Sequence, residues 1–216
     1  EILEVDIQPD NVIVGFSSYG QATYENAYNA GMGSNGLTSG RHDLLHHSYH
    51  AKYPESFDIN TDEEYIYSGQ FSLTDSLEGT PVDIGKALLS PTRTYAPILN
   101  KIMQDTALKG AINGIIHCTG GAQTKVMKFL DKPLHIIKDS LLETPPLYKT
   151  IHETTGTSMK EMYEVFNMGH RLEIYCDKTI ANDLISIAAS FNVEAQIIGR
   201  CETNSQKKLT IAGISY

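Results

Sequence analysis

Two glycine-bearing stretches carry the residue types that could do chemistry. Gly31 to Gly36, written GMGSNG, spells G-x-G-x-x-G, and His117 to Gly121 reads HCTGG. The first spelling suggests a dinucleotide turn, which needs a strand directly before it, a helix opening on its last glycine and an acidic residue about twenty positions on. That context fails, because SSYGQATYENAYNA separates the motif from the strand-like run Val12 to Phe16. The second stretch has the right setting for an anion. A strand runs into Gly120 and Gly121 and then a helix, so backbone N–H groups can face a ligand and Thr119 can add a hydroxyl. An ordinary tight strand–helix turn accounts for the same residues equally well, and the spacing to Lys125 is not that of a Walker loop.

Other candidates are weaker. Arg93, in SPTRTY, is either a helix-flanking surface charge or a phosphate ligand, since the guanidinium fits phosphate oxygens. Asn167, in FNMG, sits where Gly169 can end a helix left-handed. His42, His46 and His50 recur at i, i+4 spacing with His47 alongside, which predicts a partly exposed histidine-rich helix face. No cysteine or HExxH arrangement accompanies them, so no metal-ligand set is expected. No nucleophile elbow or Ser/His/Asp order stands out.

The elements that must position these residues alternate. Strands are expected at 12–16, in AINGIIHC, HIIKD and RLEIYC, and in AQIIGRCE and KKLTIAGI around the turn Thr203–Gln206. A helix with Pro97 in its first turn presents Ile98, Leu99, Ile102 and Met103 on one face. Further helices are expected in LTSGRHDLLHHSY, in TGGAQTKVMKFL, in LYKTIHET, after a capping box of Ser158 and Glu161, and along Ile180, Leu184, Ile187 and Phe191. Residues 51–83 read as a long excursion with at most short elements. The alternation predicts one α/β (α+β) domain, a mixed sheet with flanking helices whose last part is ferredoxin-like. No repeat or linker interrupts it.

Composition narrows the function classes. The chain has 216 residues and a net charge of −9, which argues against nucleic acid or an anionic membrane surface as partner. Cys118, Cys176 and Cys201 lie far apart, as expected of buried thiols in a reducing cytoplasm. No apolar run approaches eighteen residues.

In order along the chain, NVIVGFSSYG, GSNGLTSGRHDLL, GKALLSPTRTYAPILNKI, GIIHCTGGAQTKVMKFL, EMYEVFNMGHRLEIYC and VEAQIIGR resemble the C-terminal half of the phosphoribosylformylglycinamidine cyclo-ligases, or aminoimidazole ribonucleotide synthetases. The family patterns are D-V-L-I-G-L-x-S-x-G, H-S-N-G, L-L-x-P-T-R-I-Y, H-x-T-G-G-G and F-N-x-G. The resemblance implies ATP-dependent closure of formylglycinamidine ribonucleotide to aminoimidazole ribonucleotide, with Mg²⁺. It implies a polar or acid–base role for His117, and substrate or phosphate contacts from Ser34, Asn35, Gly36, Arg93, Thr119, Gly120, Gly121 and Asn167. It also implies that this chain is a C-terminal domain. An N-terminal domain would then supply most of the ATP and metal site and a homodimer interface. Two positions depart from the pattern: the family histidine before S-N-G is Gly33, and the third glycine of T-G-G-G is Ala122. The other readings are a related ATP-dependent enzyme of the selenophosphate synthetase, thiamine-monophosphate kinase, hydrogenase-maturation or amidotransferase type, and a non-catalytic ligand-binding domain.

Overall fold

The computed structural model describes residues 4–34 and 36–216. Among them, seven strands form one mixed sheet: β1 (Val12–Ser17), β2 (Ile112–His117), β3 (Leu134–Lys138), β4 (His170–Cys176), β5 (Ala195–Thr203), β6 (Lys208–Ile211) and β7 (Ile214–Ser215). Their order is β2-β4-β1-β5-β3-β6-β7, antiparallel throughout except for the parallel β3–β6 pair. The helices are α1 (Leu37–Leu44), α2 (Ser48–Lys52), α3 (Ile84–Leu88), α4 (Ala96–Met103), α5 (Thr106–Gly110), α6 (Pro146–Thr155), α7 (Met159–Val165) and α8 (Ala181–Ser190). The α/β class expected from the alternating pattern is the one found.

Burial explains why the central strands read as unbroken apolar runs. Every residue of β1 and β4 is buried, since each lies between two neighbours and is covered on both faces. One face packs Val14, Phe16, Leu172 and Ile174 against Ile98, Ile102, Leu184 and Ala188 of α4 and α8. The other packs Ile13, Tyr175 and Ile198 with Leu147, Ile151 and Met162 from α6 and α7. Gly15 permits close approach at the centre of β1, where a Cβ would lie 2.8 Å from Ile198.

Helix boundaries follow local chemistry. Pro97 occupies the first turn of α4, where its missing N–H is no loss. Ser158 Oγ accepts from Glu161 N at 3.3 Å, the N-cap half of the expected box. Residues 122–128 form a 3₁₀ helix rather than an α-helix.

Two expectations change. The strands either side of Thr203–Gln206 do not pair with each other, because β3 inserts between β5 and β6 and takes hydrogen bonds from both. The histidine-rich helix breaks: α1 stops at Leu44, and Leu45 and His46 bridge to Phe71 and Gly69 before α2 begins. His42 is therefore buried, its Nδ1 accepting from Tyr67 N at 3.2 Å, while His46 and His47 are exposed. Within the 51–83 excursion only 3₁₀ turns at Pro54–Ser56 and Glu63–Tyr65 and the last residues of α2 are regular.

Candidate anion-binding site

Strand pairing sends both glycine bends to the same end of the sheet. β1 leaves at Ser17, paired with His170, and β2 leaves at His117, paired with Leu172, so both end at the start of β4. The chain after β1 returns at Gly31, whose carbonyl accepts from Tyr148 Oη at 2.6 Å, Asn167 Nδ2 at 2.8 Å and Arg171 Nη2 at 2.9 Å. Arg171 Nη2 also donates to Met32 O at 2.6 Å. The Arg171 backbone carbonyl accepts from Cys118 N at 2.6 Å. One residue of β4 thus ties the 31–36 bend to the 117–121 bend.

Arg171 lies within the strand RLEIYC and is not among the candidates singled out from the sequence. It is 1% exposed, and its Nε and Nη1 have no hydrogen-bond partner among the described residues. A buried guanidinium with unused donors is costly unless an acceptor, preferably an anion, completes it. The guanidinium lies directly over Gly33: a Cβ there would fall 2.5 to 2.6 Å from its terminal atoms. Gly33 has a φ of +62°, which also favours glycine. The departure from the H-S-N-G pattern is therefore structural, because Arg171 fills the space that a side chain at position 33 would need.

The second bend carries its own cations. Gly120, Gly121 and Ala122 all have positive φ, at 58°, 111° and 42°. Lys125 Nζ reaches Thr119 Oγ1 at 3.3 Å and Lys128 Nζ reaches Gly120 O at 3.3 Å. Gln123 pins the turn from below by donating to His170 O at 3.0 Å and to Asn167 O. Behind it sits a buried charged cluster. Lys138 Nζ donates to Gln123 O at 2.7 Å and to Glu173, which also accepts from Tyr175 Oη at 2.7 Å and from His170 Nε2 at 3.0 Å. Burial alone would raise the Glu173 carboxyl, but the Lys138 charge and the His170 hydrogen bond hold it at about 2. Burial lowers His170, so its imidazole is neutral.

The remaining candidates sort by their partners. His117 is half-buried and stands edge-on to Tyr95, ring centroids 6.1 Å apart. Burial, then the Arg171 and Lys125 charges, push its pKa down, leaving a neutral imidazole able to accept a proton. It lines an open groove of about 430 Å³ with Thr92, Tyr95, Ile115 and Leu172. Thr92 Oγ1 accepts from Ser34 N at 3.2 Å, which places the groove beside the exposed Ser34. Gly36 opens α1 at a φ of +80°, where a Cβ would strike the Phe166 ring at 2.7 Å. Asn35 lies outside the described residues.

Arg93 and Asn167 are both held by partners within the chain. All five guanidinium N–H groups of Arg93 are taken: Nε and Nη2 by Glu25 at 2.8 and 2.7 Å, Nη1 by Ser17 O and Tyr19 O, and Nη2 again by Gly20 O. It clamps the loop after β1 and has no donor left for a phosphate. Asn167 is 2% exposed, accepting from Ser18 Oγ at 2.6 Å and Gly169 N at 3.2 Å and donating to Gly31 O and Tyr148 Oη. These bonds hold the first bend.

No family model matches the chain. Its sequence is 33% identical over 137 residues to the phosphoribosylformylglycinamidine cyclo-ligase of Methanocaldococcus jannaschii, 62% of this chain and 38% of that protein. It is 34% identical over 122 residues to that of Methanococcus vannielii, 56% of this chain and 33% of that protein. The chain is similar to cyclo-ligases. A third cyclo-ligase, from Alkaliphilus metalliredigens, is 26% identical over 144 residues, 64% of this chain and 39% of that protein. Between about a third and two fifths of these cyclo-ligases' length is matched. Superposition on T. maritima PurL complexed with ATP covers all of this chain and 26% of that one, with a TM-score of 0.48 and 9% identity. For E. coli HypE the coverage is 97% and 49%, with a TM-score of 0.48 and 11% identity. Among the described residues, no helix is long and apolar enough to cross a membrane.

Proposed function

We propose that this chain is the C-terminal, substrate-facing domain of an ATP-dependent cyclo-ligase acting on formylglycinamidine ribonucleotide in purine synthesis. A separate N-terminal domain would supply most of the nucleotide site and a dimer interface, in the cytoplasm. The observation that carries the reading is Arg171, a buried cation with two guanidinium nitrogens unpartnered among the described residues, between two glycine bends at one end of the sheet.

In this reaction the formyl oxygen attacks the γ-phosphorus, the bond to ADP breaks, and a nitrogen of the amidine attacks the formyl carbon. Phosphate then leaves with the C–O electron pair, and the attacking nitrogen loses a proton. Such chemistry asks the protein mainly for positioning and charge neutralisation. Ser34, Thr119, Gly120, Gly121, Lys125 and Arg171 suit the phosphate oxygens, and neutral His117 suits the departing proton. Mg²⁺ would neutralise phosphate charge. The described residues of the bends bring no carboxylate for it, since Glu25 is spent on Arg93 and Glu173 on Lys138, so its ligands belong to the other domain.

The test is turnover by the full-length protein. ADP release dependent on formylglycinamidine ribonucleotide, and lost in His117→Ala, is expected; none from well-folded protein overturns the reading. Gly33 with Arg171 above it favours one second reading, a related ATP-dependent reaction on a different substrate. A screen of ADP release against oxygen- and selenium-centred acceptors separates the two.

A further inference from the structure

The break in the histidine-rich segment creates a different constellation from the one its spacing predicts. α2 and the 3₁₀ turn Glu63–Tyr65 bring together His47, His50 and Glu63, whose ligand atoms all lie within 4.8 Å of one another. Neither element contributes a residue to the glycine bends. His47 Nε2 stands 3.8 Å from Glu63 Oε1.

We propose that these three side chains form a binding site for a borderline divalent cation of the zinc type, with water completing the fourth position. The first argument is the tautomer of His47. Its Nδ1 lies 3.1 Å from the Ile66 carbonyl, which can only accept, so Nδ1–H donates there and Nε2 is the nitrogen left to meet a metal. Nε2 stands 3.8 Å from a Glu63 carboxylate oxygen, so a metal ion between them would be held from both sides, in place of the proton that would otherwise make them an ion pair. A backbone carbonyl fixing the far nitrogen is also the usual outer support of a metal-bound imidazole.

The second argument is orientation. His47 and His50 are three residues apart on one helical turn, His50 N donating to His47 O at 2.9 Å, and their rings stack at 5.3 Å with an interplanar angle of 8°. The other face of His50 stacks on Phe57 at 4.8 Å and 19°. Glu63 is tied down through its carbonyl, which accepts from the N–H of buried Ile66 at 3.1 Å. The rings are held by contacts that do not use their metal-binding nitrogens.

The third argument is fit. Tetrahedral zinc with nitrogen and oxygen ligands at its usual bond lengths places those atoms about 3.4 Å apart. Turning the two imidazoles out of their parallel stack and swinging the exposed Glu63 carboxylate toward them closes the observed separations to that value. Two imidazoles and one carboxylate suit zinc rather than magnesium or calcium, which take oxygen ligands.

The test is direct metal binding by the intact protein. Zinc chloride is titrated calorimetrically, and cobalt chloride is followed by its visible d–d absorption. One equivalent per chain is expected, with the intense cobalt bands of a four-coordinate site. His47→Ala, His50→Ala and Glu63→Gln each weaken zinc by at least about tenfold, the range that even outer partners of ligands command. His46→Ala, an exposed histidine beside the site, leaves binding unchanged. Metal-free melting curves of His47→Ala and Glu63→Gln stay near the parent curve, as expected for exposed positions, while His50→Ala melts somewhat lower for want of its Phe57 contact and is compared as folded protein. Zinc affinity equal in parent and all three variants, or no uptake by the parent protein, overturns the proposal. None of these readings involves turnover or phosphate, so the result is independent of the cyclo-ligase reading.

Discussion

Replacing Lys138 by methionine removes the ammonium that holds Glu173 charged in the centre of the sheet. Both side chains are fully buried, so solvent does not screen the pair. Glu173 is depressed from its ordinary 4.5 to about 2, which corresponds to about 3 kcal/mol of folding free energy at neutral pH. Removing the cation also strands the carboxylate and leaves Gln123 O without its donor, so the expected loss is about 3–5 kcal/mol. A lowered carboxyl contributes stability that is complete above its unfolded pKa and disappears as pH falls through the folded value. In Lys138→Met burial raises the Glu173 carboxyl instead, so the gap should begin to narrow above pH 4.5, as the variant's carboxyl takes up its proton, and go on narrowing to about pH 2, as the parent's does. The assay is urea unfolding followed by far-UV circular dichroism, repeated down the pH series for as long as both proteins fold. The double variant Lys138→Met/Glu173→Gln should recover part of the loss, because the amide carries no charge and its oxygen can keep one of the two bonds that His170 and Tyr175 make to the separate carboxylate oxygens. A loss under about 1 kcal/mol, or a gap that does not change on acidification, would refute the reasoning.

Gly33→Ala meets the Arg171 guanidinium at a φ of +62°, and the protein should lose about 1–3 kcal/mol in denaturant melts, with Gly33→His losing more. Ala122→Gly relieves a φ of +42° and should gain up to about 1 kcal/mol in the same assay. Arg93→Lys cannot reproduce five donors; it should destabilise by about 2–4 kcal/mol yet leave phosphate affinity, measured calorimetrically on folded protein, unchanged. Histidine NMR titration should place His117 below its ordinary 6.5, and Arg171→Met should move it back up, because a neighbouring positive charge is lost.

The strands were legible because β1 and β4 are buried on both faces and must be apolar along their length, and α4 because Pro97 marks its start. Strand order was not, since β3 reaches its place between β5 and β6 through pairings at long sequence separation. The site was half legible. The two glycine bends can be read from local spelling, but which arginine serves them depends on partners far along the chain. Arg93 looks like the phosphate ligand until Glu25, 68 positions away, is seen to occupy it. Arg171 and Glu173 were visible as charges inside the apolar run HRLEIYC, an anomaly in a central strand that calls for buried partners. Lys138 at the end of HIIK is the matching anomaly. The histidine spacing misled because the backbone of Leu45 and His46 bridges to the 69–71 segment instead of continuing the helix.

Titrating the ¹⁵N-labelled protein with inorganic phosphate most directly tests whether the bends form one anion site. Backbone amides of Ser34 and Gly36 and those of Thr119 to Gly121 should shift together, with one dissociation constant shared by the Arg171 side-chain Nε–H. Saturable shifts confined to one bend, or an Arg171 resonance that does not respond, would contradict it.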